Sequence, residues 1–422
     1  MSLKSGELSD PVIFKEFPFN IGYRLLAPGD IKPTAAQRDS YRRFTQMGDP
    51  LADAVVAMFR RLPAGEGRRL FEVAVEQGFD AVEDPPEELS AFFAQVDAVP
   101  YWVNPAKLQL AARVTARTGP WGVYFALPAL ALMGGYLASR ADKTLVASGD
   151  LTAMAPRRLA ETGTWWLDVT SPGGLDRFAP GFKGVLRVRL MHALVRAGMN
   201  RRPDWNYDEW DHPVNQSQTV GTLMLFSLAN IVGCQALGLK FSAKEKAAVY
   251  HFWRYVGVLM GLEPEIVPAD EVDTWRLLWL QADYEFLPDE DSRKLAEALL
   301  AAGGYSLGLA GNDPASQVVR QLFSNYVAAY SRLILGRTNA DFLGLPNRKA
   351  FQAAVLITAA VNRAAEIPRR YVPGGTRASE ALGHYVRQRL VRRATGALSD
   401  DTSYSRHDKM ADTGLRKRTR AG

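Results

Sequence analysis

His192 stands out among the five histidines of this 422-residue chain because of the residues that share its helix face. The sequence around it reads VLRVRLMHALVRAGMN, so helical spacing places Arg189 and Arg196 one turn before and one turn after the imidazole, on an otherwise apolar stripe. A buried arginine needs an anionic partner, and this face does not contain one. Haem would supply iron for the imidazole and propionates for the guanidinium groups. The alternative is a core histidine with no ligand role.

A second pair of residues lies upstream in the stretch PRRLAETGTWWLDV. Arg158 and Thr162 are four residues apart, so they share one face of a predicted helix. An arginine and a hydroxyl that converge on a pocket can hold an anion or bound oxygen. The alternative is a surface arginine beside a threonine in the helix interior.

Other arrangements that could do chemistry are less complete. Glu209-x-x-His212 has the spacing of one ligand pair of a di-iron site, but such a site needs this motif twice and two further carboxylates. The single cysteine, Cys234, excludes an intrachain disulfide, a thiolate cluster and the Cys-x-x-Cys-His attachment of covalent haem. The sequence contains no Gly-x-Ser-x-Gly motif, P-loop or dinucleotide fingerprint.

The elements that must position these residues are predicted to be helices, which makes the fold class all-α. Apolar residues recur at helical spacing from about residue 51 to 395, and the alternation typical of strands is scarce. We expect an extended N-terminal arm (1–40), because four prolines interrupt it, then one helical domain (41–395) and a flexible, disordered basic tail (396–422). The predicted helices span 51–62, 66–78, 87–96, 104–118, 121–138, 150–170, 183–198, 215–238, 242–261, 291–302, 314–336, 348–365 and 378–395.

Hydropathy and charge bear on membranes and on nucleic acid. The uncharged stretches 121–138 and 213–239 could span a membrane by length, but the first contains Pro128 and the second contains several amide side chains, so we predict buried helices and no transmembrane segment. The N-terminus shows no secretory pattern, which predicts a cytoplasmic protein. Residues 366–422 carry a surplus of seven positive charges, which predicts a solvated basic face. Contact of this face with anionic lipid is the alternative, and no nucleic-acid motif is present.

Four motifs in order resemble a known family. Arg158-x-x-x-Thr162 followed, 34 residues after Arg158, by the histidine of Arg189-x-x-His192-x-x-x-Arg196 is similar to the signature of the rubber oxygenase (latex-clearing protein) family, which includes the MpaB-type oxygenase of mycophenolic acid biosynthesis. The resemblance covers about residues 90–300. Two further blocks agree with it, namely WDHPVNQ at 210–216 with Thr222 and Phe226, and WRYVGVLMGL at 253–262 followed by Pro268.

The resemblance implies a fold and a cofactor. The fold would be a globin-like helical core that holds one non-covalent haem b, with His192 as the ligand of the iron. Arg189 and Arg196 would lie beside the haem near its propionates, and Arg158 and Thr162 would shape the pocket. The best-known members use dioxygen to cleave carbon–carbon double bonds of isoprenoids.

The sequence departs from rubber oxygenases at two points. It lacks their export signal, and Glu161 stands where those enzymes can carry a lysine that caps the iron. We therefore expect neither a lysine-capped iron nor rubber as the substrate. Glu161 becomes a candidate polar or basic group near bound substrate, and an exposed helix glutamate is the alternative.

The function predicted from these features is that of a haem b-dependent oxygenase. It would use dioxygen and an unidentified electron donor to cleave or hydroxylate a small apolar substrate, with isoprenoids as one candidate class. One alternative is a haem-binding sensor or electron-transfer protein without turnover. A second is a family member that has lost haem, and a third is a membrane-surface role of the basic C-terminal segment.

Overall fold

The computed structural model describes residues 8–147, 149, 151–309 and 313–396. These residues form helices and irregular segments, and no strand occurs among them, which confirms the all-α fold class. The predicted tail, apart from Gly396, lies outside the described residues.

The first half of the chain contains thirteen α-helices within the described ranges and one long π-helical segment, π1. They are α1 (Val12–Lys15), α2 (Phe19–Leu26), α3 (Ala35–Phe44), α4 (Pro50–Arg61), α5 (Glu66–Gln77), α6 (Glu87–Asp97), α7 (Pro105–Arg117), α8 (Gly119–Trp121), π1 (Gly122–Leu132), α9 (Met133–Gly135), α10 (Ser139–Ala147), α11 (Leu151–Val169), α12 (Pro180–Met199) and α13 (Tyr207–Trp210).

The second half contains a short π-helical segment, π2, and the longest helices of the described chain. These elements are α14 (Gln216–Met224), π2 (Leu225–Ala229), α15 (Asn230–Ala236), α16 (Ala243–Leu259), α17 (Glu271–Tyr284), α18 (Glu290–Gly303), α19 (Pro314–Phe342), α20 (Lys349–Tyr371) and α21 (Gly375–Gly396).

The helices pack around α11 and α12, which carry the residues of the first two motifs. The two helices lie against each other, α12 also packs on α4 and α16, and α11 also packs on α18 and α21. On another side of the core, π1 packs against α15, π2 and α19. One continuous cluster of buried apolar side chains joins these elements, so α11 and α12 are held from several directions.

The N-terminal arm is more structured than the prolines predict. Residues 8–40 include α1, α2 and the start of α3, and Ile13, Phe14 and Ile31 are buried against the core. Pro11 and Pro18 stand directly before α1 and α2, where a proline needs no hydrogen-bond donor. The expectation of an extended arm is therefore wrong for these residues.

Further helices, α10, α13 and α17, lie where the sequence pattern predicted none. In α17 the acidic first turn and Arg276 interrupt an apolar pattern that includes Trp275 and Trp279. The helix predicted to end at residue 336 continues to Phe342, although Gly336 has a φ of 81° and interrupts the helical conformation. The predicted end of the helix at residue 336 therefore coincides with the interruption at Gly336, and the helix resumes after it.

One helical stretch of the described residues, Gln216–Ala236, is long and apolar enough to cross a membrane, and half of its most apolar window is buried inside the protein. A bent pair, Gly119–Gly135 with Ser139–Ala147, passes the same test of length and composition when it is taken together.

Candidate functional site

His192 lies in the middle of α12, surrounded by protein but with part of its imidazole uncovered. Burial, with a contribution from the nearby Arg196, lowers the pKa of His192 to about 4. The imidazole is therefore neutral at physiological pH, and a neutral imidazole has the lone pair that a metal ligand needs. No hydrogen bond to the ring joins it to another described residue, so protein contacts leave the ring nitrogens available.

Arg189, one turn before His192, is fully buried and held by protein groups. Its Nε and Nη2 donate to the two carboxylate oxygens of Asp49 at 2.6 and 3.0 Å. Its Nη1 donates to Gln95 Oε1 at 2.6 Å and to the Leu259 carbonyl oxygen at 3.3 Å, and the guanidinium stacks over the Phe92 ring. A bidentate, desolvated pair of this kind fixes the rotation of α12.

Arg196, one turn after His192, has a corresponding partner. Its Nε lies 2.8 Å from Asp53 Oδ1, and its Nη1 donates to the Val214 carbonyl oxygen at 2.9 Å. The premise that this helix face lacks a protein anion is therefore wrong, because α4 and the residue that caps it supply Asp53 and Asp49. Sequence reasoning missed these carboxylates because Asp49 lies 140 positions before Arg189 and Asp53 lies 143 positions before Arg196.

A small cavity lies beside His192, next to the buried side chains of Arg189 and Arg196. Its volume is about 10 Å³, which is room for one water molecule. Its lining combines α12 with the segments that precede α4 and begin α14: Gly48, Asp49, Arg189, His192, Arg196, Val214, Gln216, Thr219 and Met260. His192 and Thr219 therefore face a common space.

The helix that carries Thr219 has an uncovered face. Thr219, Leu225 and Ala229 are half-buried and Thr222 is exposed, although α14, π2 and α15 are otherwise packed in the core. Leu225 lies beside Gly135 at the end of α9, where a Cβ added to the glycine would be 3.2 Å from the leucine Cδ1. The uncovered face thus runs from the cavity at His192 toward α9.

Helix α11 packs against α12 and contacts π2. Trp165 packs on Phe226 of π2 with 5.3 Å between ring centroids, and Thr162 and Arg158 follow at one-turn intervals on the same side of α11. Both are half-buried, and Arg158 is close enough to the Tyr136 hydroxyl for each group to alter the pKa of the other. We use the name interior cleft for the region around the incompletely buried side chains of these helices, which are Tyr136, Arg158, Thr162, His192, Thr219 and Thr222.

Glu161, next to the cleft threonine, is buried rather than exposed. Its carboxylate forms an ion pair with Arg157 at 2.8 Å, one helical turn earlier. The alternative of an exposed helix glutamate is therefore wrong. A role for Glu161 beside bound substrate stays a prediction.

Sequence reasoning missed a buried carboxyl near the cleft, Asp142. Burial raises its pKa well above the ordinary value, the nearby Asp289 adds to this effect, and its Oδ2 has no hydrogen-bond partner within the described chain. Asp142 also raises the pKa of Tyr136, so Asp142, Tyr136 and Arg158 form one group of interacting side chains. The signal was weak because α10, which carries Asp142, was not predicted.

The motifs at 210–216 and 253–262 are joined to each other and to the rest of the core by hydrogen bonds. Gln216 donates to the carbonyl oxygens of Gly48 and Gly261, at 2.8 and 3.0 Å, so the start of α14 is tied to the end of the 253–262 motif. Asp211 accepts hydrogen bonds from Gln46 at 2.7 Å and from Tyr284 at 2.9 Å, and it pairs with Arg140 at 2.8 Å. These contacts explain why polar residues are buried in the WDHPVNQ block.

The remaining histidine and carboxylate candidates have other contacts. His251 Nε2 accepts a hydrogen bond from the Asn104 backbone N–H at 2.9 Å. The Glu209 side chain accepts from Asn206 at the exposed start of α13. Within the described ranges, no three His, Cys, Asp or Glu side chains cluster in a way that could hold a metal ion, so the di-iron alternative gains no support.

Comparisons with known proteins agree with the motifs. The family described as "ER-bound oxygenase mpaB/B'/Rubber oxygenase, catalytic domain" matches residues 112–365, which is more than half of the chain. A solved structure of latex clearing protein LCP in the closed state is similar with a TM-score of 0.59 and 18% sequence identity, over 82% of this chain and 91% of that one. No curated protein matches the chain significantly. The chain therefore belongs to the mpaB/B' and rubber oxygenase family, a family of oxygenases.

Proposed function

We propose that this protein is a haem b-dependent oxygenase that acts on a small apolar substrate in the interior cleft. The observation that supports the proposal is the neutral, partly exposed imidazole of His192 on α12, which packs against α11, the helix that carries the half-buried Arg158 and Thr162. The donor set fits haem, because iron porphyrins take a neutral imidazole and the half-buried Leu225 and Ala229 of π2 offer apolar surface to the ring.

His192 would be the ligand of the iron. When bound, haem would supply the redox chemistry that activates dioxygen. Arg189 and Arg196 would act as positioning residues, because Asp49, Gln95, Asp53 and two carbonyl oxygens already accept most of their donors. This assignment replaces the expectation that both arginines hold the haem propionates.

Arg158 and Thr162 would serve the chemistry of the cleft. Burial lowers the pKa of Arg158, but its ordinary pKa is so high that the guanidinium stays charged and presents positive charge at the cleft. Fixed positive charge stabilises negative charge that develops during a reaction, most strongly where water is excluded. The Thr162 hydroxyl can donate or accept a hydrogen bond there. An apolar substrate is favoured by the leucine and alanine side chains of the uncovered face.

The proposal is tested first by haemin titration of the purified full-length chain. Wild-type protein should show a saturable Soret band, and acidic organic extraction should release the pigment because no covalent tether exists. His192→Ala should lose most of the occupancy, whereas the matched variant His251→Ala should retain it. Equal binding by wild-type protein and His192→Ala would remove His192 as the ligand.

Turnover is tested by oxygen consumption of the haem-loaded, reduced protein with short isoprenoid alkenes, followed by mass spectrometry of carbonyl or hydroxyl products. Consumption that depends on substrate and on Thr162 would support an oxygenase. Haem binding without product formation for any alkene would favour the sensor or electron-transfer alternative.

A further inference from the structure

The outer face of α20 is apolar and is covered by no part of the described protein. Leu356, Ile357, Val361, Ile367 and Tyr371 each expose between 59% and 80% of their surface. At 3.6 residues per turn these side chains, with the exposed alanines 353, 360 and 364, fall on one side of the helix. The pattern is the reverse of an ordinary surface helix, whose polar side faces outward.

The opposite side of α20 is attached to the core by specific contacts. Thr358 accepts a hydrogen bond from Tyr326 of α19 at 2.7 Å, and Asn362 donates to the Leu237 carbonyl oxygen at 2.9 Å. Glu366 is buried and pairs with Arg369 at 2.7 Å. These contacts settle which side of α20 faces inward, so the apolar side cannot be buried by rotating the helix.

Positive charge borders the apolar face, and exposed negative charge is missing from the same helix. Arg363 and Arg370 are exposed along one edge, and Glu366, the one acidic residue between Lys349 and Tyr371, is buried. The neighbouring α21 adds exposed Leu382, Tyr385 and Arg389. We define the basic apolar surface as the exposed side chains of α20 together with these three residues of α21.

The basic apolar surface stands on a rigid support. Arg387 of α21 is completely buried, stacks over the Trp166 ring at 4.1 Å and donates to Thr170, so α21 is fixed on α11. Val318, Val319 and Leu322 at the start of α19 are also exposed. Because Tyr326 meets Thr358 in the antiparallel pair of α19 and α20, these residues extend the apolar area beside the C-terminal half of α20.

We propose that the basic apolar surface docks this protein on an anionic lipid bilayer. Apolar side chains enter the boundary between headgroups and acyl chains, while arginines at the border meet anionic headgroups. A 23-residue helix is about 34 Å long, which is enough for several lipids along its length. A second copy of the chain fits less well, since two such faces would bring Arg363 and Arg370 of both copies together without an exposed acid. Segment 397–422 also carries a net positive charge, with six Lys or Arg against four Asp, so its charge does not complement this surface.

The experiment is co-sedimentation of the full-length chain with vesicles of phosphatidylcholine alone or with a third of phosphatidylglycerol. Wild-type protein should bind the anionic vesicles about tenfold or more tightly than the neutral ones, and high salt should weaken that binding. The variant Ile357→Glu/Ile367→Glu should lose binding by about tenfold or more, and so should Arg363→Glu/Arg370→Glu. All four side chains are exposed, so both variants should keep the wild-type circular dichroism and thermal unfolding.

Two matched controls isolate the surface. Tyr101→Glu changes an even more exposed apolar side chain before α7, and Arg201→Glu reverses an exposed arginine after α12, so both should bind vesicles as wild type does. Equal binding to neutral and anionic vesicles, or wild-type binding by both α20 variants, would overturn the proposal. A dimer in light scattering that dissociates in Ile357→Glu/Ile367→Glu, without vesicle binding by the wild type, would assign the surface to self-association instead.

Discussion

Replacing Asp49 with asparagine tests whether the buried ion pair with Arg189 holds the His192 helix in place. The carboxylate is 9% exposed and the guanidinium 2% exposed, so the change leaves an uncompensated charge in the interior. Breaking a buried pair from one side costs about 3–5 kcal/mol. We expect a loss of about 3 kcal/mol, at the lower end, because Gln95 and the Leu259 carbonyl oxygen remain as acceptors.

The asparagine isolates the charge. Asp49 also caps α4 by accepting a hydrogen bond from the Ala52 N–H at 3.1 Å, and asparagine caps a helix about as well as aspartate. The matched control is Asp53→Asn, which removes the partner of Arg196. Because Asp53 is 38% exposed, water replaces part of the lost interaction even though Arg196 is buried, and the loss should be smaller than in Asp49→Asn.

Urea unfolding of the apoprotein, followed by far-UV circular dichroism, measures both changes. A double-mutant cycle with Arg189→Met should give a coupling energy of about 2 kcal/mol or more for the Asp49 pair. Haemin affinity should fall in Asp49→Asn and stay unchanged in Asp53→Asn. If the two asparagine variants lose the same small amount of stability, the buried pair is not what fixes α12.

Three further predictions use other parts of the site. Thr162→Ala should keep haem but slow turnover about tenfold or more, whereas Thr164→Ala, whose hydroxyl bonds the Ala160 carbonyl of its own helix, should not; equal slowing would place Thr162 outside the chemistry. Burial lowers the pKa of His192 to about 4 in the folded apoprotein. As the pH falls through about 6.5, the imidazole therefore takes up a proton in the unfolded chain but stays neutral in the folded one. Stability should therefore fall as pH falls from about 6.5 to about 4, and His192→Gln should flatten part of that slope in a urea series; an unchanged slope would contradict a buried neutral ring. Gly261→Ala should cost about 2–3 kcal/mol in thermal unfolding, because φ is +78° and a Cβ there would overlap the Asp49 carboxylate, while Gly198→Ala, which has open space, should be nearly neutral.

The sequence was sufficient for local features and for the order of the motifs. The helix predicted at 183–198 is α12, Pro180–Met199, and the helix predicted at 150–170 is α11, because both have unbroken apolar spacing. The family was recognisable because its residues lie close together within those two helices.

The sequence was insufficient wherever distant residues meet. The partner of Arg189 lies 140 positions away, and no periodicity links Asp49 to α12. Asp142 was missed with its helix. The apolar side of α20 faces outward, because hydrogen bonds and ion pairs hold the polar side inside, and the helical pattern at 348–365 alone does not give this orientation.

The π-helical segment π2, beside the interior cleft, affects how motif spacing is counted. A π turn contains about one residue more than the α turn it replaces, so side chains after π2 are rotated about the axis relative to those before it. Thr222 and Asn230 therefore do not follow one helical wheel, although they belong to one continuous rod. In evolutionary terms the single turn of π2 is equivalent to a one-residue insertion. A relative without π2 should therefore align with this chain only when one gap is placed near Leu225–Ala229. The positions of its cleft residues should be counted from the N-terminal side of that gap.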